Sequence, residues 1–561
     1  MKINIKKELV WKIQSDLTEG VNSNEEIINK LLEGKGYGTT SKRNNFLNPP
    51  HPKQIKLSKL GIKAQEMQKA VKRLTTALEK KERITVFGDY DADGICSTAI
   101  VWEALDDLGF LAMPHIPKRE DGYGIKKDSL DQIMKKYPDT KIIITVDNGI
   151  VAHDAVSYAN KLGINVIVLD HHEVSEKYPD AYALIYTKKL CGAAISYFFA
   201  RELKNKIKGK KSEFPYHDPI DLAAIGTVAD QMQLVDVNRA IVKSGLSVLR
   251  KTNRIGLTEM FKEASIDKSK IGTYEINYVI APRINAMGRL DEAMESLRLI
   301  CARSFGKARS LSGILGETNR KRQSVVEKST IMAFEKLENY DFSSRVIILG
   351  DESFHEGVIG LIASKLTEKY YLPSIVFSIG KEISKASARS IKGFNINANI
   401  RKLSNLTEGG GGHEMAAGFS IKNNNLKIFE KEFKKLAKVK IKQKMLEKRL
   451  LVNARLNFNQ INLGLAQKLL DFEPYGIGNS KPVFVSQNVT IQNSKKVGSA
   501  ANHMKLTLNQ TEKYLDAIYF NFGSDGFLGG TKVKAAYQID INTWDNRINL
   551  QLLIKDIKPE I

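Results

Sequence analysis

A chain of 561 residues is too long for one ordinary domain, and its 42% hydrophobic content is enough for several packed cores. Lys and Arg total 86 against 63 Asp and Glu, a formal net charge of +23. That favours a polyanion as partner, nucleic acid or an anionic membrane, although a lysine-rich composition alone gives the same excess. Three scattered cysteines, Cys96, Cys191 and Cys301, exclude a disulfide framework and a thiolate zinc site. No segment has the ~20 apolar residues of a membrane span, and the start of the chain lacks the apolar stretch of a signal peptide. The expected compartment is a reducing cytoplasm.

In chain order, residues 1–80 read as a helical segment: IINKLLEGKGY and AVKRLTTALEKK have helical spacing, with FLNPPHPK a loop between them. Residues 81–235 change texture. ITVFGD (84–89), KIIITVD (141–147) and NVIVLD (165–170) are β-rich runs separated by helical stretches, which predicts an α/β domain with a parallel sheet. LAAIGTVA, just before Asp230, is open to strand or helix. Residues 236–340 read as a helical connector whose last part, 302–340, lacks proline and suits one long helix. A second α/β unit, 341–440, has strands at RVIILG and SIVFSIG with the helix VIGLIASKLTEKY between them. The lysine-rich stretch 421–450 reads as a solvated helical connector. From 450 to 561, five or six short strand-like runs predict a small β-barrel of the OB type. Such barrels grip single strands with stacking aromatics, for which Phe484, Tyr519, Phe520 and Trp544 are candidates.

The acidic residues cluster where strands end. Asp89, Asp91 and Asp93 follow the first run, Asp147 the second, and Asp170, His171 and His172 the third, with Asp230 closing LAAIGTVA. One aspartate after a strand is ordinarily a turn former or helix cap. Four acidic endings and a histidine pair at one sheet edge repel each other unless cations intervene. Oxygen and imidazole donors without thiolate suit Mg²⁺ or Mn²⁺, and two such ions are expected, as in phosphoryl displacement by water.

GDYDADG (88–94), VDNG (146–149), DHH (170–172) and GTVAD (226–230), in this order, closely resemble the four motifs of the DHH phosphoesterase superfamily. Within it the likeness is to the long bacterial single-strand-specific exonucleases, and it extends through PKREDGYG (117–124), APRINAMGRLD (281–291), FHEGVIGLIASKL (354–366), SARSI (387–391) and GGGHEMAAG (410–418). It covers the chain from about residue 25 onward. The resemblance implies a DHH domain and a DHH-associated domain joined by a long helix, followed by an OB-fold. It implies metal ligation by Asp91, Asp93, Asp147, His171 and Asp230, with Asp89 contributing and His172 assisting substrate or proton transfer. Phe87 stands where many members carry a metal-binding histidine, Ala386 and Ala388 where glycines are common, and Met287 where a small residue is common. The implied activity is metal-dependent 5′-to-3′ removal of nucleotides from single-stranded DNA in recombination and repair. A hydrolase of short RNA or cyclic dinucleotides, and a catalytically silent DNA-binding scaffold, are the alternatives.

The resemblance also places phosphate contacts opposite the metal cluster, across a cleft between two domains. GGGHEMAAG can bring backbone N–H groups, Gly412 among them, and His413 to an anion, and the segment after it can offer a helix N-terminus. Ser387 and Arg389 form a second candidate site, and Arg119, Arg283, Asn285 and His355 lie in the family motifs. Expected partners beyond DNA are a single-strand-binding protein and a helicase, with the chain a monomer making no membrane contact.

Overall fold

The computed structural model describes residues 9–21, 23–174, 177–207, 217–522, 527–544 and 547–560. Strands that are apolar on both faces need helices on both sides. Accordingly Arg83–Phe87, Thr140–Val146 and Asn165–Asp170 form the centre of a five-stranded parallel sheet, with Ala112–His115 at one edge and Ala183–Tyr186 at the other. Arg83–Phe87 pairs with Ala112–His115 on one side and with Thr140–Val146 on the other. The crevice at the carboxyl ends of Arg83–Phe87 and Thr140–Val146 is therefore the topological switch point of the sheet. One face packs on the helices Ala92–Asp107 and Gly192–Lys206. The other packs on Lys127–Lys136 and His153–Lys161. LAAIGTVA belongs to a helix, Ile220–Ala229, that is buried on every side and, apart from Asp221 and Thr227, apolar.

The helical region that follows ends in Phe305–Glu335, a single helix of 31 residues that carries the chain to a second sheet. That sheet runs Glu408–Gly412, Ala416–Lys422, Ile383–Arg389, Ser374–Ser378, Ile347–Asp351, and only its last pair is parallel. The lysine-rich stretch is less solvated than its composition suggests. Its helix Leu426–Lys440 buries Phe429, Phe433 and Ala437 against this sheet and turns its lysines outward.

In the last part of the chain, Phe484–Val497, His503–Gln510, Lys513–Tyr519, Arg547–Pro559 and Lys532–Trp544 pair in that order, and the final strand returns to the first. Closure removes the sheet edges and makes the five-stranded barrel of an OB-fold. Of the candidate stackers, Phe484 is buried core, Tyr519 is half-buried, and Phe520 is 52% exposed. The side chain of Trp544 lies outside the described residues.

The first segment of the chain is no separate preamble. Leu17, Ile27, Ile28, Leu31, Leu32 and Phe46 share one core with Leu465, Leu469, Phe472 and the barrel interior. Val10–Ile13 pairs in parallel with Arg449–Val452. The buried guanidinium of Arg239 ties this body to the first domain, donating to the carbonyls of Phe46, Asp471, Phe472 and Glu473 at 2.6–3.0 Å. Among the described residues, no helix is long and apolar enough to cross a membrane.

Candidate metal centre

The turn after Arg83–Phe87 places three carboxylates in five residues. Asp91 caps the helix Ala92–Asp107, accepting from the backbone N–H of Asp93 at 2.9 Å and of Gly94 at 3.0 Å. Asp93, on that helix's first turn, is gripped by the N-terminus of another. It accepts from Gly192 N–H at 2.7 Å and Ala193 N–H at 2.9 Å, where the helix dipole favours negative charge. Two glycines make room for the carboxylates. A Cβ at Gly226 would lie 2.4 Å from Asp93 Oδ1, and one at Gly192 would lie 2.6 Å from the Asp147 Cβ.

Asp147 leaves its strand with φ +61°, a left-handed conformation that turns its carboxylate back into the crevice. His171 Nε2 then sits among three carboxylates, 3.0 Å from Asp147, 3.8 Å from Asp230 and 3.9 Å from Asp93. Asp230 reaches this rim from the C-terminal end of a helix rather than from a strand. Donor atoms of Asp93, His171 and Asp230 lie within 4.8 Å of one another, as do those of Asp89, Asp91 and Asp147.

Without a cation this arrangement is electrostatically unfavourable. Burial pushes Asp147 and Asp89 well above the usual carboxylate range, and their acidic neighbours push them further. Asp230 is pushed up to about 8 by burial and by the charges of Asp93 and Asp91, and Asp91 is raised by burial and Asp93. Burial lowers His171, with His172 adding repulsion, so its ring is neutral and carries a lone pair. The buried Oδ1 of Asp89 has no hydrogen-bond partner. Hard oxygen donors, a neutral imidazole and an orphaned carboxylate oxygen fit a divalent cation. Phe87, where a histidine ligand is common, is instead core, stacked on His115 at 5.3 Å.

Asp170 plays a different part. It accepts from the N–H groups of Ile150, His171 and His172 at 2.7–3.1 Å and from His172 Nδ1 at 2.7 Å. Burial would raise it, but these bonds hold it below the usual carboxylate range. Burial likewise opposes charge on His172, yet the Asp170 bond and charge lift it to about 9, so its imidazole is protonated at neutral pH. The Tyr123 hydroxyl donates to the Asp147 carbonyl at 3.0 Å and lies 3.1 Å from the His172 ring nitrogens. Tyr123 belongs to PKREDGYG, where nothing in the sequence marks its hydroxyl as a neighbour of the acidic rim.

Across the cleft the glycine run forms a β-hairpin, not a helix N-terminus. Gly410 and Gly412 have φ +137° and +150°, and a Cβ at Gly412 would lie 2.3 Å from the Ala416 carbonyl. At the tip the exposed His413 stacks toward His172, with ring centroids 6.4 Å apart. Ser387 and Arg389 lie on the adjoining strand, Arg389 Nη1 donating to Ser387 Oγ at 3.2 Å. His355 is exposed, and its Nδ1 accepts from Gly357 N–H.

The helical stretch 281–290 bolts the two lobes together and occupies several expected phosphate contacts. Asn285 Oδ1 accepts from Ala92 N–H at 2.7 Å, and Arg119 donates to the Gly288 carbonyl at 2.7 Å while lying over the Tyr90 ring. Arg283 is committed to Glu263 at 2.9 Å. Arg289, which the motif APRINAMGRLD contained but its pattern did not distinguish, donates to the Gly357 carbonyl at 2.9 Å. Burial and the charges of Arg119, Arg322 and Arg389 pull it down to about 10, with Asp91 acting the other way, so several guanidiniums crowd one place beside the acidic rim.

Models of three families match the chain: the DHH family N-terminal domain over residues 83–227, the DHHA1 domain over 343–442 and the RecJ OB domain over 452–556. The single-stranded-DNA-specific exonuclease RecJ of Bacillus subtilis is 30% identical over 97% of this chain and 70% of its own length. That of Escherichia coli is 31% identical over 88% of this chain and 90% of its own. The chain belongs to the RecJ family. The crystal structure of RecJ from Thermus thermophilus in complex with Mn²⁺ superimposes with a TM-score of 0.81 at 25% identity, over 99% of this chain and 80% of that one. The same RecJ has been solved with Mg²⁺, at a TM-score of 0.74.

Proposed function

We propose that Asp89, Asp91, Asp93, Asp147, His171 and Asp230 hold two divalent cations, Mn²⁺ or Mg²⁺, and that the chain removes nucleotides from the 5′ end of its substrate. As a RecJ-family exonuclease it acts on single-stranded DNA. The observation that carries the metal reading is the pair of donor groups, Asp93–His171–Asp230 and Asp89–Asp91–Asp147, each closing within 4.8 Å along one rim. When bound, such cations supply Lewis acidity that activates water and offsets charge on the phosphate.

The chain's own residues do the rest. Gly192 and Ala193 hold Asp93 in place through their N–H groups, and the left-handed turn at Asp147 aims its carboxylate. Asp170 keeps a proton on His172, which can share it with a phosphate oxygen in the cleft. Arg389 and Ser387, with His413 on the hairpin, offer an anion site opposite the rim that can fix a terminal phosphate. Holding an end while hydrolysing the adjacent bond supports exonucleolytic cleavage. A single-strand-binding protein and a helicase are the partners we propose for this role in repair and recombination, with the chain a cytoplasmic monomer.

The test is release from 5′- and 3′-labelled DNA and RNA oligomers, single- and double-stranded, with Mn²⁺ and with chelator. Mononucleotides should leave first from the 5′ label of single-stranded DNA, and only with metal. A 3′ label lost first would overturn the polarity, and equal rates on blunt duplex would overturn strand selection by the cleft.

A further inference from the structure

Two tyrosines stand out on the helical stretch 273–290, which also carries Asn285. Tyr274 and Tyr278 are 65% and 66% exposed, and their rings pack on each other with centroids 4.8 Å apart at 37°. Even in this contact about two thirds of each residue stays open to solvent. Large exposed aromatics are unfavourable in water unless something stacks on them. The backbone beneath them is specialised as well. Pro282 has no N–H and would clash with the carbonyl of Tyr278 in a regular α-helix. The stretch Ile276–Ile280 therefore widens into a π-turn, with Ala281 N–H reaching back to the Ile276 carbonyl. Arg283 Nη1 takes up the Val279 carbonyl at 3.1 Å.

Beside Tyr278 lies a cavity of about 380 Å³, lined by Gln231, Met232, Asn277, Tyr278, Tyr475 and Ile477 among others. Three parts of the molecule meet there. Gln231 and Met232 directly follow Asp230 of the candidate metal centre. Tyr475 and Ile477 belong to the loop leading into the barrel, which is pinned by Leu234 N–H to the Ile477 carbonyl at 2.7 Å and by Thr273 Oγ1 to the Tyr475 carbonyl at 2.7 Å. The cavity thus lies between the barrel and the acidic rim. Asn285, bonded to Ala92 beside Asp91, is about 10 Å from Tyr278 along the helix at ~1.5 Å per residue. Phosphates repeat every ~3.4 Å on a stacked strand and farther apart on an extended one, so about 10 Å corresponds to two or three nucleotides.

We infer that Tyr278 and Tyr274 form a stacking platform for unpaired nucleobases of the substrate two or three nucleotides from the bond being cut, with the adjoining cavity receiving one base. The inference rests on the exonuclease reading above and adds to it a site that aligns the strand by its bases, independently of the phosphate contacts. Stacking is indifferent to sequence because every base has a π-face. The platform should therefore favour strand over duplex without favouring any sequence.

The experiment compares the full chain with a Tyr274→Ala/Tyr278→Ala double variant on single-stranded oligomers of increasing length. KM on long oligomers should rise roughly 10-fold or more, with kcat changing far less, and the penalty should shrink for oligomers too short to reach the platform. Tyr274→Phe/Tyr278→Phe, which keeps the rings, should restore most of the lost affinity. An abasic residue walked along the strand should weaken the wild-type chain most at two or three nucleotides from the scissile bond, and the alanine variant should not sense it there. An unchanged KM in a normally melting alanine variant, or equal sensitivity of both proteins to the abasic residue, would overturn the platform. Wild-type turnover of an unmodified strand tests the exonuclease reading separately. Should turnover be absent, quenching of 2-aminopurine at that position in chelator still decides the stacking, since binding needs no hydrolysis.

Discussion

The two lobes facing each other across the cleft position their chemistry by different means. In the first, each polar group sits at the end of a parallel strand or a helix, at a place set by the residues next to it. In the second, the groups lie on a mostly antiparallel sheet and are aimed by a hairpin whose pairing depends on Gly410 and Gly412. The acidic lobe is built to concentrate negative charge, with four aspartates raised by burial and by one another. Facing it are the half-buried guanidiniums of Arg289, on the connecting helix, and Arg389, on the second sheet. A phosphodiester between them completes both, and the difference assigns turnover mainly to one lobe and substrate capture to the other.

The sharpest way to break that division is Asp147→Asn. Asparagine tolerates the left-handed φ of +61° and keeps the shape, so the fold should melt normally. Hydrolysis should fall by more than the ~10–100-fold typical of losing a group that only orients a ligand. Arg389→Ala should act through the other lobe. KM for oligomers should rise about 10–100-fold, the range for a hydrogen bond to a charged group, with kcat less affected. If its loss fell on kcat as heavily as that of Asp147→Asn, the division would fail.

The acidic lobe should also reveal itself without substrate. A carboxyl whose native pKa lies above its unfolded value binds its proton more tightly when folded. The metal-free chain therefore loses this stabilisation as pH rises from about 4 toward about 8, the native value for Asp230. A cation replaces the proton, so the gain in Tm from Mn²⁺ over chelator should be a few degrees larger at pH 8 than at pH 6, by thermal melt. An equal gain at both would count against the shared-cation reading. The smallest effect is expected from Gly412→Ala, which strains an exposed hairpin by about 1–3 kcal/mol. Activity should fall several-fold through displaced His413, while the global Tm stays within about 2 °C.

How much of this was legible follows the same contrast. The strand-end aspartates and the DHH run could be read because a parallel sheet delivers every carboxyl end to one edge. The barrel and the long helix could be read from periodicity and the absence of proline. The element that carries Asp230 is not legible in the sequence, since an all-apolar run such as LAAIGTVA has no periodicity to read. The glycine run suggested an anion nest because its pairing partner, Ala416–Lys422, is recognisable only once the hairpin is formed. Phe484, a candidate stacker by type, is core because the barrel closes around it. Tyr274 and Tyr278 are not legible in the sequence: nothing local marks a surface aromatic whose setting depends on a loop some 200 residues away.

The shared core of the first fifty residues and the barrel bears on how the protein is made. The side-chain amides of Asn24 and Asn462 exchange hydrogen bonds of 2.9 and 3.0 Å across 438 residues of chain. At ~5–20 residues per second, a ribosome leaves the helix Asn24–Gly34 without its partner for roughly 20–90 s. Throughout that interval Ile27, Leu31 and Leu32 lack the Leu465, Leu469 and Phe472 side of their core, while both catalytic lobes can already fold. The helix Asn24–Gly34 is thus secured only after the barrel segment has been made. During translation, its apolar face is where a chaperone would find this protein.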